Sequence, residues 1–135
     1  MDIFKWFFNN KEYKSVGEKG EDVATRYLKQ KGYKILEKNF KNDAGRRLGE
    51  IDIIAEKEGC IVFVEVKTRM EMLGDNPLPE ENITPSKLYK LNKIAQYYIK
   101  IRDSLNTPYQ FDAVSVQIDQ DSGRIKIKHI EHIFF

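Results

Sequence analysis

An α/β or α+β layer, one mixed sheet flanked by two helices, is the architecture this 135-residue sequence predicts. Three observations carry it. Residues 16–31 and 84–102 each place apolar side chains at helical spacing behind a cap residue. Between them lie stretches rich in Ile and Val, two of which form a hairpin. After the second helix come two further strands joined by a turn.

Residues 1–14 read as an N-terminal extension and 15–135 as a single domain, long enough for a core without covalent staples. In the extension Ile3, Phe4, Phe7 and Phe8 have helical spacing. A short amphipathic helix docked on its own domain is the plain reading, and an aromatic patch for dimerisation or membrane contact is the sharper one. Ser15-Val16-Gly17-Glu18 matches a capping box, and the helix runs from there to Lys31 before Gly32 stops it. Val16, Gly20, Val23, Ala24, Tyr27 and Leu28 form its apolar stripe. Glu21 falls on the border of that stripe and can look into the protein, whereas Asp22 points away.

Tyr33–Phe40 has β character, and Lys41–Leu48 is a polar loop carrying Arg46 and Arg47. The hairpin follows, Ile51–Ala55 and Cys60–Val66 around Glu58-Gly59. A two-residue loop there pairs Lys57 with Cys60 and, counting outward, Asp52 with Glu65 and Glu50 with Lys67. Alternation places Glu50, Asp52 and Ile54 on one face, and Ile51 and Ile53 on the other. In the second strand Ile61, Phe63, Glu65 and Lys67 share a face opposite Val62, Val64 and Val66. Met70–Ile83, with Gly74, Pro77 and Pro79, reads as a long loop. Thr84-Pro85 then starts a helix whose stripe is Leu88, Leu91, Ile94, Ala95, Tyr98 and Ile99. Lys87, Lys90, Lys93 and Lys100 lie off it, a solvated face or a set of phosphate contacts. Tyr109–Ile118 and Arg124–Phe134 complete the chain as strands.

A hydrophobic fraction of 41% and a charged fraction of 33% fit a soluble globular protein. The net charge of +2 neither demands nor excludes a polyanionic partner, so any nucleic-acid surface must be a local patch. A single cysteine, Cys60, rules out an internal disulfide and reads as an inert thiol in an apolar strand. No stretch approaches membrane-spanning length and the N-terminus lacks the pattern of a secretory signal, which makes the cytoplasm the expected compartment, with no membrane partner.

Acidic groups inside strands this apolar need an explanation. Carboxylates on directly opposed Cβ atoms, roughly 5 Å apart, would repel, so a positive group should lie between Asp52 and Glu65. A metal ion or the Lys67 ammonium would serve. Hard oxygen ligands from Glu21, Glu50, Asp52 and Glu65, with no Cys/His cluster, point to Mg²⁺ or Mn²⁺. Lys67 lies two residues from Glu65 on the same face, where it could contact a phosphate or an attacking water. Those are the parts of metal-dependent phosphodiester hydrolysis. The plain alternative is a surface ion pair of Glu65 and Lys67, but Ile61 and Phe63 on the same face mean that the face is largely covered. His129 and His132 point to opposite faces of a strand and do not converge on a metal. Asp112, an acid in an apolar strand, reads as a structural hydrogen-bonder.

The segments G-E-I-D-I-I-A and V-F-V-E-V-K-T-R resemble the core of the PD-(D/E)XK nuclease superfamily. With the helices G-E-K-G-E-D-V-A-T-R-Y-L and T-P-S-K-L-Y-K-L-N-K-I-A, and the strands F-D-A-V-S-V and I-K-H-I-E-H-I-F, the pattern over residues 16–135 is most similar to the YraN family of predicted endonucleases. That family is related to archaeal Holliday-junction resolvases. The resemblance implies a restriction-endonuclease-like αβββαβ fold and a divalent-metal site. It assigns Glu21 as the helix glutamate, Asp52 as the hairpin aspartate, and Glu65 and Lys67 as the E-x-K pair, with the role of Glu50 open. Lys41–Leu48 is longer than is usual in the family.

The expected function is a Mg²⁺- or Mn²⁺-dependent endonuclease acting on DNA, with branched and single-stranded DNA as candidate substrates. Asp52 and Glu65 would bind the ion, Glu21 and Glu50 would act in outer or second-ion roles, and Lys67 would serve catalysis. Arg46, Arg47, Arg69, Lys87 and Lys90 are candidates for phosphate contact. A four-way junction needs two cuts, from which a homodimer would follow. The alternatives are a non-catalytic nucleic-acid-binding module and a hydrolase of small phosphoesters.

Overall fold

The computed structural model describes residues 15–43, 45–71 and 84–133. Helix α1 is Val16–Gln30, followed by β1 (Lys34–Lys41), β2 (Glu50–Lys57) and β3 (Cys60–Glu71). Helix α2 (Pro85–Ile101), β4 (Tyr109–Asp119) and β5 (Ile125–Ile130) complete the order. The expected αβββαβ core is therefore present, with a fifth strand after it.

Local chemistry sets the helix boundaries. The Ser15 hydroxyl accepts from the Glu18 N–H at 3.1 Å, and Gly32, with φ +92°, takes the left-handed turn beyond α1. Thr84 caps α2 in the same way, accepting from the Lys87 N–H at 3.1 Å with Pro85 at the first position. Thr84→Ala is expected to cost about 1 kcal/mol in a denaturant titration.

The strands lie in the order β1-β2-β3-β4-β5, with β3 parallel to β4 and every other pair antiparallel. A parallel pair requires a crossover, and α2 is part of it. Two apolar layers result. On one face Val23, Ala24 and Leu28 of α1 pack on Ile53, Ala55, Val62, Val64, Val114 and Val116. On the other, Leu91, Ile94, Ala95, Tyr98 and Ile99 of α2 pack on Ile51, Ile54, Ile61, Phe63 and Phe111. Gly20 lets α1 approach β3 closely, since a Cβ there would fall 1.6 Å from Thr68 Oγ1.

Several sequence-based boundaries shift. β3 continues to Glu71, so Met70 and Glu71 belong to the strand; residues 72–83 of the expected loop lie outside the described residues. So do residues 1–14 with their aromatic cluster. The last strand stops at Ile130 rather than Phe134. Val16, expected in the apolar stripe, is exposed in the first turn, while Thr25 is buried with its hydroxyl bonded to the Glu21 carbonyl. Among the described residues no helix is long and apolar enough to cross a membrane.

A cleft of convergent acids and lysines

The hairpin register is the expected one where the strands pair. Lys57 faces Cys60, and the ladder runs to Ile53 opposite Val64. Glu58 and Gly59 both have positive φ, at 51° and 78°, as a tight hairpin turn demands. Beyond Ile53 the backbone pairing stops, so Asp52–Glu65 and Glu50–Lys67 are not backbone pairs. Instead Asp52 Oδ2 accepts from the Val66 N–H at 2.8 Å, a side chain continuing what the ladder began.

Simple alternation fails at the same point. Ile51 joins Ile54 in the α2 layer, while Ile53 belongs to the α1 layer, contrary to the expected pairing of Ile51 with Ile53. The neighbouring strand is irregular at the same level. β1–β2 pairing steps from Lys38–Ile53 to Phe40–Ile51, and the skipped residue Asn39 has φ 53°. The register is the same on both sides of it, so no residue is inserted there, and the shift of register in this strand pair lies between Ile35 and Glu37. Asp52 is the residue at the level of Asn39.

The result is a cleft of about 370 Å³ lined by Glu21, Glu50, Asp52, Glu65, Lys87 and Lys90, with Gly49 and Leu91. All four acids singled out from the sequence meet here. Glu65 is buried, and its Oε1 is paired with Lys87 Nζ. Lys67 does not line the cleft but touches Lys87, which does. Asn39, unnoticed in the sequence, ties the other two acids together. In the orientation that satisfies its partners, its amide nitrogen donates to Glu50 Oε1 at 3.1 Å and Glu21 Oε2 at 3.2 Å. Asp22, by contrast, pairs with Arg26 at 3.5 Å and does not line the cleft.

Crowding of like charge in a covered site perturbs the acids. Burial, and then the charge of Glu65, push Asp52 up to about 7, against the Val66 hydrogen bond that favours its anion. Burial also raises Glu21, opposed by the Asn39 hydrogen bond and reinforced by Glu50. The lysines divide. Contact with Lys87, followed by burial, lowers Lys67, whereas for Lys87 the hydrogen bonds to Glu65 and Lys67 outweigh burial and leave it raised.

Lys87 thus corrects one sequence expectation. It is a half-buried partner of Glu65 rather than part of a solvated helix face. Lys90 is exposed at the cleft wall. Arg46 and Arg47 are exposed on the loop before β2, which Asn42 braces by donating to the Arg46 carbonyl at 2.8 Å and accepting from the Leu48 N–H at 2.9 Å. Arg69 is half-buried on β3 and does not line the cleft.

The donor chemistry fits a hard divalent cation. Asp52 and Glu65 offer two carboxylates to one cleft, and a tethered ammonium already stands at Glu65 as a cation would. Among the described residues no three His, Cys, Asp or Glu side chains are set closely enough to enclose an ion by themselves. Mg²⁺ does not require that, since one or two carboxylates with water and phosphate oxygens complete its shell.

The remaining acids and histidines have structural partners. Fully buried Asp112 meets His129 Nε2 at 2.7 Å and accepts from Gln110 Nε2 at 2.9 Å and the His132 N–H at 3.2 Å. Tyr27 Oη lies 3.1 Å from His129 Nδ1, so the network ties α1, β4 and β5 together as a hydrogen-bonded clamp. Cys60 is half-buried and its thiol is pushed up by burial, away from reactivity.

Residues 20–116 match the profile of uncharacterised protein family UPF0102. A UPF0102 protein of Syntrophomonas wolfei is 42% identical over 121 residues, 90% of this chain and 98% of the relative. One from Caldanaerobacter subterraneus subsp. tengcongensis is 43% identical over 122 residues, 90% of this chain and 95% of the relative. Among solved structures, Pyrococcus furiosus SfsA in complex with Ca²⁺ aligns with a TM-score of 0.37 at 17% identity, over 87% of this chain and 62% of that one. The chain belongs to the UPF0102 family, the YraN family whose motifs its sequence carries.

Proposed function

We propose that this protein is a divalent-cation-dependent endonuclease acting on DNA, with branched DNA as the candidate substrate. The observation that carries the reading is the convergence of Glu21, Glu50, Asp52 and Glu65 from one helix and two strands on a single cleft beside two lysines. Like charges gathered in one cleft are costly unless a function needs them, and perturbed carboxylates such as Asp52 and Glu21 are the usual mark of one.

In this proposal Asp52 and Glu65 hold the Mg²⁺ or Mn²⁺ ion. Once bound, the ion supplies charge neutralisation at the phosphate and acidifies a bound water. Asp52 is fixed for that task by the Val66 N–H. Glu21 and Glu50, yoked by Asn39, present a second acidic edge for outer water or a second ion. Lys67, in contact with Lys87 beside the cleft, is suited to orient the attacking water and to stabilise charge developing at the phosphate. Lys90 at the wall, with Arg46 and Arg47 on the neighbouring loop, would meet flanking phosphates. A dimer would supply the second cut that a four-way junction requires.

The test is a nicking assay on supercoiled plasmid and on a synthetic four-way junction with Mn²⁺. Cleavage is expected from the wild type, lost with EDTA, and lowered about 100-fold by Lys67→Ala. DNA retarded in a gel without being cut would favour a non-catalytic binding module. Turnover of mononucleotide esters but not of DNA would favour a small-phosphoester hydrolase.

A further inference from the structure

Lys87 stands in an unfavourable place for a lysine. It lies three residues after the cap of α2, where the positive end of the helix dipole favours an acid, and that first turn holds no acid. The side-chain amine of Lys67 touches it. It is half-buried, so water does not fully screen the dipole's repulsion. What holds it is Glu65, a buried carboxylate whose side chain is only 8% exposed, with Asp52 beside it. A buried carboxylate such as Glu65 is costly to leave without a counter-ion.

We propose that Lys87 is a tethered cation that holds the metal site closed at Glu65 and is displaced when the divalent ion arrives. This rests on the nuclease reading and adds a competitor to it. A divalent ion carries twice the charge of the ammonium and can touch both Asp52 and Glu65. Once it takes Glu65, the lysine still faces the helix dipole and has lost its carboxylate. A phosphate is the anion that would then satisfy Lys87 and Lys67 together. Ion binding in this way delivers a second lysine to the substrate. Affinity for the ion alone is correspondingly held down, so that ion and phosphate bind best together.

Calorimetric titration of the full chain with Mn²⁺ tests this. Lys87→Met is expected to bind Mn²⁺ at least tenfold more tightly than the wild type while cutting DNA more slowly. Lys93→Met, which removes the same charge from a lysine lying 5.0 Å over the Tyr89 ring, is expected to change Mn²⁺ affinity less than twofold. Lys87→Arg keeps a tethered cation and should stay within threefold of the wild type, which covers the case in which the methionine variant fails to fold. A Lys87→Met protein that binds Mn²⁺ no more tightly than the wild type overturns the proposal and leaves the nuclease reading intact. An Arg variant that binds as tightly as the Met variant is expected to also overturns it. Absence of Mn²⁺ binding in every variant overturns both readings.

Discussion

Asp52→Asn is expected to stabilise the metal-free protein above neutral pH while removing nearly all cleavage. Asp52 keeps its proton up to about 7 in the folded chain, against an ordinary value of 3.8. Between those values the folded state holds a proton that the unfolded state has released, so stability falls as pH rises through that window. Above it the wild type carries a half-buried anion beside Glu65, and asparagine does not. The amide oxygen can still accept from the Val66 N–H, which preserves the end of the hairpin. A gain of about 2 kcal/mol at pH 8, shrinking towards zero near pH 4, follows from that difference. Thermal melts of both proteins in EDTA across this range check it. The same substitution removes a charged ligand, and cleavage should fall by roughly 10³-fold. Saturating Mn²⁺ should raise the melting temperature of the wild type and leave the variant nearly unmoved. Opposite signs for stability and activity from one atom pair distinguish a working site from a structural carboxylate.

Gly20→Ala is the largest expected loss of stability. The new Cβ would lie 1.6 Å from Thr68 Oγ1, 2.5 Å from its Cγ2 and 2.6 Å from its Cβ. Rotating the threonine clears the first two contacts but not the third, so α1 has to move off β3. Overpacking of this kind costs about 3 kcal/mol, and Glu21 is the next residue along the helix. Urea titration should show the loss, and cleavage should fall with it because α1 carries Glu21 to the cleft. Thr68→Ala on the same chain should restore only part of the stability, since the Cβ contact persists. Full restoration would mean that the helix does not sit against Thr68 as described.

Much of this was legible in the sequence, where local chemistry decides the outcome. Ser15, Thr84 and Pro85 announce their helices because caps are satisfied within three residues. Glu58-Gly59 fixes the hairpin register because a two-residue turn admits few geometries. Glu21 could be placed on the border of its stripe from helical spacing alone. The break at Asp52 was not legible. It coincides with Asn39, a residue in the neighbouring strand that adopts a left-handed conformation no periodicity announces. Strict alternation therefore misplaced Ile51, and the Asn39 bridge between Glu21 and Glu50 went unseen. Lys87 was hidden for a similar reason. A helical wheel says which side of α2 it lies on, but not that the parallel crossover sets the first turn of the helix over Glu65. A lysine in the first turn of a helix, against the dipole, is the signal that could have found it.

In the proposed site Asp52 and Glu65 together grip one divalent cation. Diffraction from crystals soaked in Mn²⁺, collected where manganese scatters anomalously, tests it most directly. An anomalous peak about 2.2 Å from a carboxylate oxygen of each residue, with the Lys87 ammonium withdrawn from Glu65, is the predicted result. A peak elsewhere on the surface, or an undisturbed Lys87–Glu65 pair at saturating Mn²⁺ with no peak in the cleft, would contradict it.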